Sequence, residues 1–419
     1  VATKRWLGNA AAVYDLWTVT LSGTVTSQTF TMTINSKSIT YTSTGTDTVN
    51  SVITGLIAAW NSLLPLPAPE FQEMTAAGLP VGGPFTSMTV TGDSAGKPST
   101  ITVGTSGAAT FSIANTAPAT GPNDFANAQN WSTASAPANS DVLIFDNGSV
   151  PCKYNLNSSL TGITLNVNPG YTGAIGLPLI NADAATTYNE YRTTSLTFAG
   201  GTVLINAPSM QRCNLAFGAN TTTIRVLATG RRVDTYTPVV LITGGNSSSE
   251  LDITAGDVAV AYYQGTTATF PTIKSGYATN PLSDVTFQAG PNATLTTIVK
   301  NGGNATLRCS ATTVSQDAAG GTLTFSDTAA VTTLNAYGGT VYLSSTGTIT
   351  TVNLYGSAIL NCDADPRSKT ITNAINVYAT GVSIVDSQKS INSGVLTLAP
   401  SGLASVNVTH GANISIVYT

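Results

Sequence analysis

Hydrolysis of a glycan needs little more than two carboxylates, about 5–5.5 Å apart for retention or about 6.5–9.5 Å for inversion. One pair in the sequence fits by spacing: Asp363 and Asp365, in NCDADPRSK. Two residues apart on one strand, they would stand roughly 7 Å from each other, inside the inverting range. The stretch reads more simply as a turn, where Asp and Pro are common. Glu250 and Asp252 share the spacing but flank Leu251, an inward residue in this reading, so they belong to a solvated strand. The only histidine is His410, and no Ser-His-Asp or Cys-His arrangement can be built on it. Cys152, Cys213, Cys309 and Cys362 show no CxxC spacing and no nearby histidine. They read as free structural thiols, not metal ligands. No phosphate loop or dinucleotide fingerprint is present. The sequence therefore assigns no catalytic residue, no metal and no cofactor.

Recurrence is more informative than any single residue. Gly321–Gly338 and Gly339–Gly356 are eighteen residues each and nearly repeat one another; Gly303–Gly320 is a further unit, and Ser357–Ala379 is one with a five-residue insertion. Counting the first residue as zero, offsets two and four hold Ala305 and Leu307, Leu323 and Phe325, Val341 and Leu343, weakening at Ile359 and Asn361. Val331, Ile349 and Ile371 correspond, as do Leu334, Val352 and Ile375. Looser apolar pairs precede them, among them Ile163/Leu165, Val203/Ile205 and Leu251/Ile253. Units of this size cannot bury their apolar residues alone; stacked, they share a core. Eighteen residues without a helix fit one coil of a parallel β-solenoid. A leucine-rich repeat has a consensus that is missing here, and a propeller blade needs about 40 residues or more.

Stacking makes a sharper statement. Asn335, Asn353 and Asn376 share one offset, and Tyr337, Tyr355 and Tyr378 another. With coils about 4.8 Å apart, the outward amides can hydrogen-bond along the stack as a structural ladder and the rings can pile up. Asn407 in VNVTHG is the expected continuation. Two uses are open: stabilisation or contact with a partner chain, and an aromatic strip for a glycan. A loop reading of AYYQGTTATFPTIKSGYATNPL adds Tyr262, Tyr263, Phe270 and Tyr277 as a recognition loop or a lid. Cys309 and Cys362 would lie three coils apart, roughly 14 Å, too far for a disulfide.

The elements that position these residues fall into two regions. The chain has 419 residues, 42% hydrophobic and only 9% charged, with net charge -4 and pI about 4.9. Thr, Ser, Gly and Asn supply the polarity, as suits strands and turns. Arg231-Arg232 and Lys4-Arg5 are the only adjacent basic pairs; they read as solvated and make no nucleic-acid patch. No apolar run is long enough for a membrane span. VATKRWLGNAAAV lacks the apolar core of a secretory signal, which points to folding in the cytosol. Residues 1–115 read as an α+β domain. LWTVTLSG, TFTMTIN and SITYTS alternate as strands, with a turn at NSK. Val49, Val52, Ile53, Leu56, Trp60 and Leu63 lie on one helical face, capped by Asp47 or Thr46. PEFQEMTAAG reads as a second short helix, followed by strands near 86–91, 99–104 and 108–113. Residues 116–123 read as a linker. Residues 124–419 read as the solenoid, with an opening segment at 124–160 and regular coils near 303–379. The fold class is mainly β, a C-terminal parallel β-solenoid (β-helix) preceded by a small α+β domain.

Two stretches carry a resemblance. KRWLGNAAAVYDLWTVTLSG with the hairpin and VNSVITGLIAAWN resembles N-terminal domains of virion proteins of tailed bacteriophages. DFANAQNWSTASAPANSDVLIFD then LTGITLNVNPGYTGAIG, with Trp131, Pro137 and Asp141, resembles the opening of bacterial and phage β-helix surface proteins. The resemblance implies a virion structural protein of fibre, appendage or head-decoration type, assembled in the host cytoplasm. Other virion proteins, and a host surface glycan in some settings, are the partners it implies. Sparse charge and outward tyrosines favour a homo-oligomer, a trimer first. The alternatives are a tailspike-like glycan-binding or glycan-degrading protein and a bacterial surface adhesin.

Overall fold

A computed structural model describes residues 1–62, 68–181, 188–232, 237–276, 284–317, 321–392, 395–398, 407–409 and 415–418. The chain is mainly β, 48% strand and 5% helix, with a parallel solenoid of about 11 turns over residues 142–397. Each coil gives strands to two parallel ladders. One ladder climbs from Val142–Phe145 through Ile163–Val167, Gly201–Asn206 and onward to Val395–Leu398. The other includes Asn304–Leu307, Thr322–Phe325, Thr340–Leu343, Ile359–Asn361 and Ser383–Val385.

The eighteen-residue period is the coil length. Ala305 and Leu307 lie in register with Leu323 and Phe325, then Val341 and Leu343, all buried. Val331 pairs with Ile349 and Leu334 with Val352, and the same columns continue to Ile371 and Ile375. Successive inward residues form one apolar column from Trp6 to Leu396. Each fully buried Leu, Ile or Phe contributes about 1.5–3 kcal/mol. Two successive outward residues, as at Thr332 and Thr333, bend the strand so that the coil can close. Gly303, Gly321 and Gly339 each precede a strand at φ 66°, 78° and 67°. A Cβ on Gly321 would lie 2.0 Å from the Gly303 carbonyl oxygen, which explains glycine at that step of the repeat.

The weakening at Ile359 and Asn361 is a register slip. Thr340 pairs with Ile359, so Leu360, not Ile359, sits on Val341 and is buried. A bulge between Ile349 and Thr351 on the partner side then returns Ile375 and Asn376 to register. Some inward positions are polar. Ser275, Lys300 and Gln316 form one buried column, and burial pulls the Lys300 ammonium down to about 8.

The base of the rod differs from the expected division. Thr3–Arg5 pairs in parallel with Val142–Ile144, so the first residues belong to the solenoid and not to an α+β domain spanning 1–115. Trp6 packs on Trp131 at 5.2 Å and on Phe145 at 5.5 Å. Trp131 donates its indole N–H to the Phe125 carbonyl at 2.9 Å. Lys4 is buried, donates to the Ser135 and Ala136 carbonyls, and stands 3.6 Å from Asp141. Arg5 pairs with Asp146. Lys4 is thus a buried structural contact and not a solvated terminal residue, whereas Arg5 is exposed as expected.

The α+β unit is therefore inserted between the first strand and the capping segment. Its strands form a four-stranded and a three-stranded antiparallel sheet. Asn35 and Ser36, at φ 49° and 61°, make the expected hairpin turn. The helix Val49–Trp60 buries Val52, Ile53, Leu56 and Trp60; its cap is Thr48, not Asp47 or Thr46. Asp47 instead accepts from Thr44 and Ser51. Leu63 lies outside the described residues. PEFQEMTAAG splits into a 3-10 turn, Pro69–Glu73, and a strand, Met74–Leu79. Pairing with Ser87–Gly92 and the alternate burial of Met74 and Ala76 outweigh helix propensity there. The segment 116–123 is not a free linker: Thr110–Ala117 extends into it and Thr120 pairs with Val13.

A second connection holds the unit to the rod. The solenoid leaves its coil at Ile180–Asn181 and returns through Tyr188–Asn189. Arg192, just beyond, reaches Glu73 at 2.6 Å, Glu190 at 2.9 Å and the Pro98 carbonyl at 2.5 Å. It also lies 4.3 Å over the Tyr191 ring. Lys97 and the Tyr188 hydroxyl complete the shell around Glu73. Burial alone would raise the Glu73 carboxyl, but Arg192, Lys97 and Tyr188 together hold it below its usual range.

Candidate functional site

The residues that recur in the sequence form a continuous surface feature. Val331–Ala336, Ile349–Leu354 and Lys369–Val377 are consecutive strands of one ladder, with Asn335, Asn353 and Asn376 in register. Leu334 and Ala336 point into the core, so Asn335 and Tyr337 point out. The Asn353 amide donates to Asn335 Oδ1 at 2.8 Å, and that of Asn376 to Asn353 Oδ1 at 2.8 Å. The Asn335 amide donates down to Ser315 Oγ at 3.4 Å. Backbone N–H groups of Tyr337, Tyr355 and Tyr378 donate to the coil beneath at 2.8–2.9 Å. Their rings therefore lie one coil apart, 4.7 Å and 13° between Tyr337 and Tyr355, 4.6 Å and 9° between Tyr355 and Tyr378.

This geometry limits what the column can do. Parallel stacking occupies both faces of Tyr355 and one face of each neighbour. A sugar stacks on a ring face, so the column offers an aromatic platform only at its two ends. Along its length it presents ring edges and hydroxyls. Tyr337 is 41% and Tyr378 47% exposed. Burial, then Tyr378 and Tyr337, raise the Tyr355 phenol above its ordinary value, so its hydroxyl is a neutral donor at pH 7.

The amide column continues differently from the expectation. Asn407 pairs with Ser383 in the other ladder, whereas Thr397 follows Asn376. Below Ser315 the column runs through Val299 to Lys274, Asp252 and Arg225. Arg225 and Asp252 approach to 3.9 Å. Alternating charges thus give way to amides along one line. A second outward column holds Thr202, Thr223, Thr272, Thr297, Thr313, Thr333 and Thr351, interrupted by Glu250. Unequal coil lengths hid both columns.

The other candidates have structural partners. Asp363 and Asp365 lie in a turn after Ile359–Asn361, not on a strand. Asp363 accepts from the Ser387 hydroxyl and backbone N–H and from Gln388 N–H, and the Ser387 bond chiefly lowers its carboxyl. Arg367 grips Asp365 through Nε and Nη2 and holds it far below the carboxylate range, with Lys369 Nζ 3.8 Å away. A general acid needs the opposite shift. Glu250 and Asp252 flank buried Leu251 on one strand, as expected. The Tyr262 stretch is not one loop: Ala268–Ser275 is a strand and Phe270 is core. Tyr262 and Tyr263 meet edge to face at 5.0 Å. Tyr277 and His410 lie outside the described residues. All four cysteines are free and buried, and burial pushes Cys213, Cys309 and Cys362 up to about 12. Among the described residues no cluster of three or more His, Cys, Asp or Glu could hold a metal. Arg232, expected in solvent, forms a two-point pair with Asp257 at 2.7 and 2.5 Å.

The same strands carry a shallow groove at their other edge. It encloses about 630 Å³ and is lined by Thr294, Ser310, Thr312, Thr332, Thr348 and Thr350, with Ala and Val beneath. Comparison with known protein families, curated proteins and solved structures finds no match for this chain.

Proposed function

We propose that this chain is a non-enzymatic virion structural protein, an appendage, fibre or head-decoration subunit. In this reading the inserted α+β unit attaches it to other virion proteins, and the solenoid projects or packs sideways. Copies associate as a homo-oligomer, a trimer first, assembled in host cytoplasm and carried on the particle. The observation that supports this most is the base of the rod. An independent unit is inserted beside the solenoid's first strand and gripped by Arg192. A rod so mounted transmits orientation from an attachment point to a distant tip. The glycan-cleaving alternative has less support, because Asp363 and Asp365 are each engaged in a turn. The glycan-binding alternative has less support because the tyrosine faces cover one another. Gold-labelled antibody against the α+β unit, applied to particles purified from the producing culture, tests the proposal. Regular labelling at one particle position is expected. Label confined to the cell envelope would favour the adhesin and overturn it.

A further inference from the structure

Resting on the reading that copies of this chain associate, we infer that the tyrosine column of one copy seats in the threonine groove of the next. Ridge and groove run along the rod on the same strands. The strand Val331–Ala336 ends one residue before Tyr337 and has Thr332 as its second residue, and Ile349–Leu354 ends one residue before Tyr355 and has Thr350 as its second. In a ring of parallel copies, equivalent residues stand at one height. Tyr337 and Tyr355 of one copy then face the Thr332 and Thr350 levels of its neighbour without a shift along the axis.

The chemistry matches as well. The groove lining contains no charged residue, and the ridge presents neutral ring edges and hydroxyls. Threonine methyls can take the ring edges, and threonine hydroxyls can pair with the phenols. Asp317 stands at the foot of the tyrosine column, one register step below Tyr337, and marks the lower border of the neutral ridge. Interfaces favour Tyr and exclude charge at their centres in this way. Tyr337, Tyr378 and Val395 are also among the few large apolar side chains left exposed, all on this sheet.

Area permits the contact. About 11 turns at about 4.8 Å give a flank roughly 50 Å long. The ridge itself spans three of these coils, so most of the ~800 Å² per partner of a standard interface must come from the flank above and below it. Ridge and groove are different surfaces, so the contact is heterologous, and with no shift along the axis it forms a ring when the rotation between copies closes.

Sedimentation equilibrium of the full chain, Tyr355→Lys, Thr332→Lys and an equimolar mixture of the two variants tests this. Both side chains point outward, and circular dichroism checks that each variant folds. The wild type is expected to form a closed ring, and each variant alone to lose at least tenfold in association, a hot-spot effect. The mixture retains one intact ridge facing one intact groove, so it should stop at a dimer. A wild-type ring with either variant assembling normally overturns this seat while leaving association standing. A wild type that stays monomeric to about 100 µM, an affinity too weak for a specific assembly, overturns both.

Discussion

Arg192 is a buried contact in the joint between the inserted unit and the rod, beside Tyr188. Its guanidinium and the Glu73 carboxylate are both largely buried, 8% and 7% exposed at the side chain. Removing Arg192 takes away one of the two cations on Glu73 and leaves Lys97, so the cost should fall below the about 3–5 kcal/mol of a fully stranded buried charge. Arg192→Met should therefore lower the melting temperature followed by tryptophan fluorescence, with Trp17 and Trp60 reporting the inserted unit. Acid should act on the same bond. Glu73 is held below its unfolded value, so its contribution is complete above about pH 4.3 and is lost as pH falls through the folded value. The wild-type melting temperature should drop between neutral pH and pH 3, and the variant's should drop less. Equal slopes would remove Glu73 from the joint. The same scale shows why residue spacing misled at Asp363 and Asp365. Their separation was visible, but Ser387 and Arg367, which fix their protonation, were not.

The coil is the element on which the fold rests, and its left-handed glycine is a sharp test of it. Gly321→Ala would place a methyl group against the Gly303 carbonyl in a conformation that costs an L-residue about 1–2 kcal/mol. Gly45, where an added methyl group would meet nothing within 4 Å, serves as the control. Chemical denaturation should show Gly321→Ala destabilised by at least that amount and Gly45→Ala nearly unchanged. What was legible followed from equal coil length. Where successive units are eighteen residues, Leu334 over Val352 and Tyr337 over Tyr355 can be placed by counting. One inserted residue before Ile359 was enough to exchange it with Leu360. In the earlier coils Arg225, Asp252 and Lys274 share a column across unequal loops, so counting fails. The pairing of Thr3–Arg5 with Val142–Ile144 spans more chain than any local pattern reaches. Met74–Leu79 misled for a related reason: its strand partner, not its own propensity, decides its state.

At the scale of the whole molecule, the protein is a rod with an inserted α+β unit at one end, and in the proposed assembly its flank is shared with a neighbour. The aromatic cap of Trp6, Trp131 and Phe145 closes its base, and the inserted unit sits there. A cyclic assembly of such rods must be polar: every inserted unit lies at the same end. Single-particle electron microscopy of the purified full chain is the most direct measurement. Rings of parallel rods about 50 Å long, with cyclic symmetry and all globular units at one end, are the expected result. Isolated rods, or bundles with globular units at both ends, would contradict it.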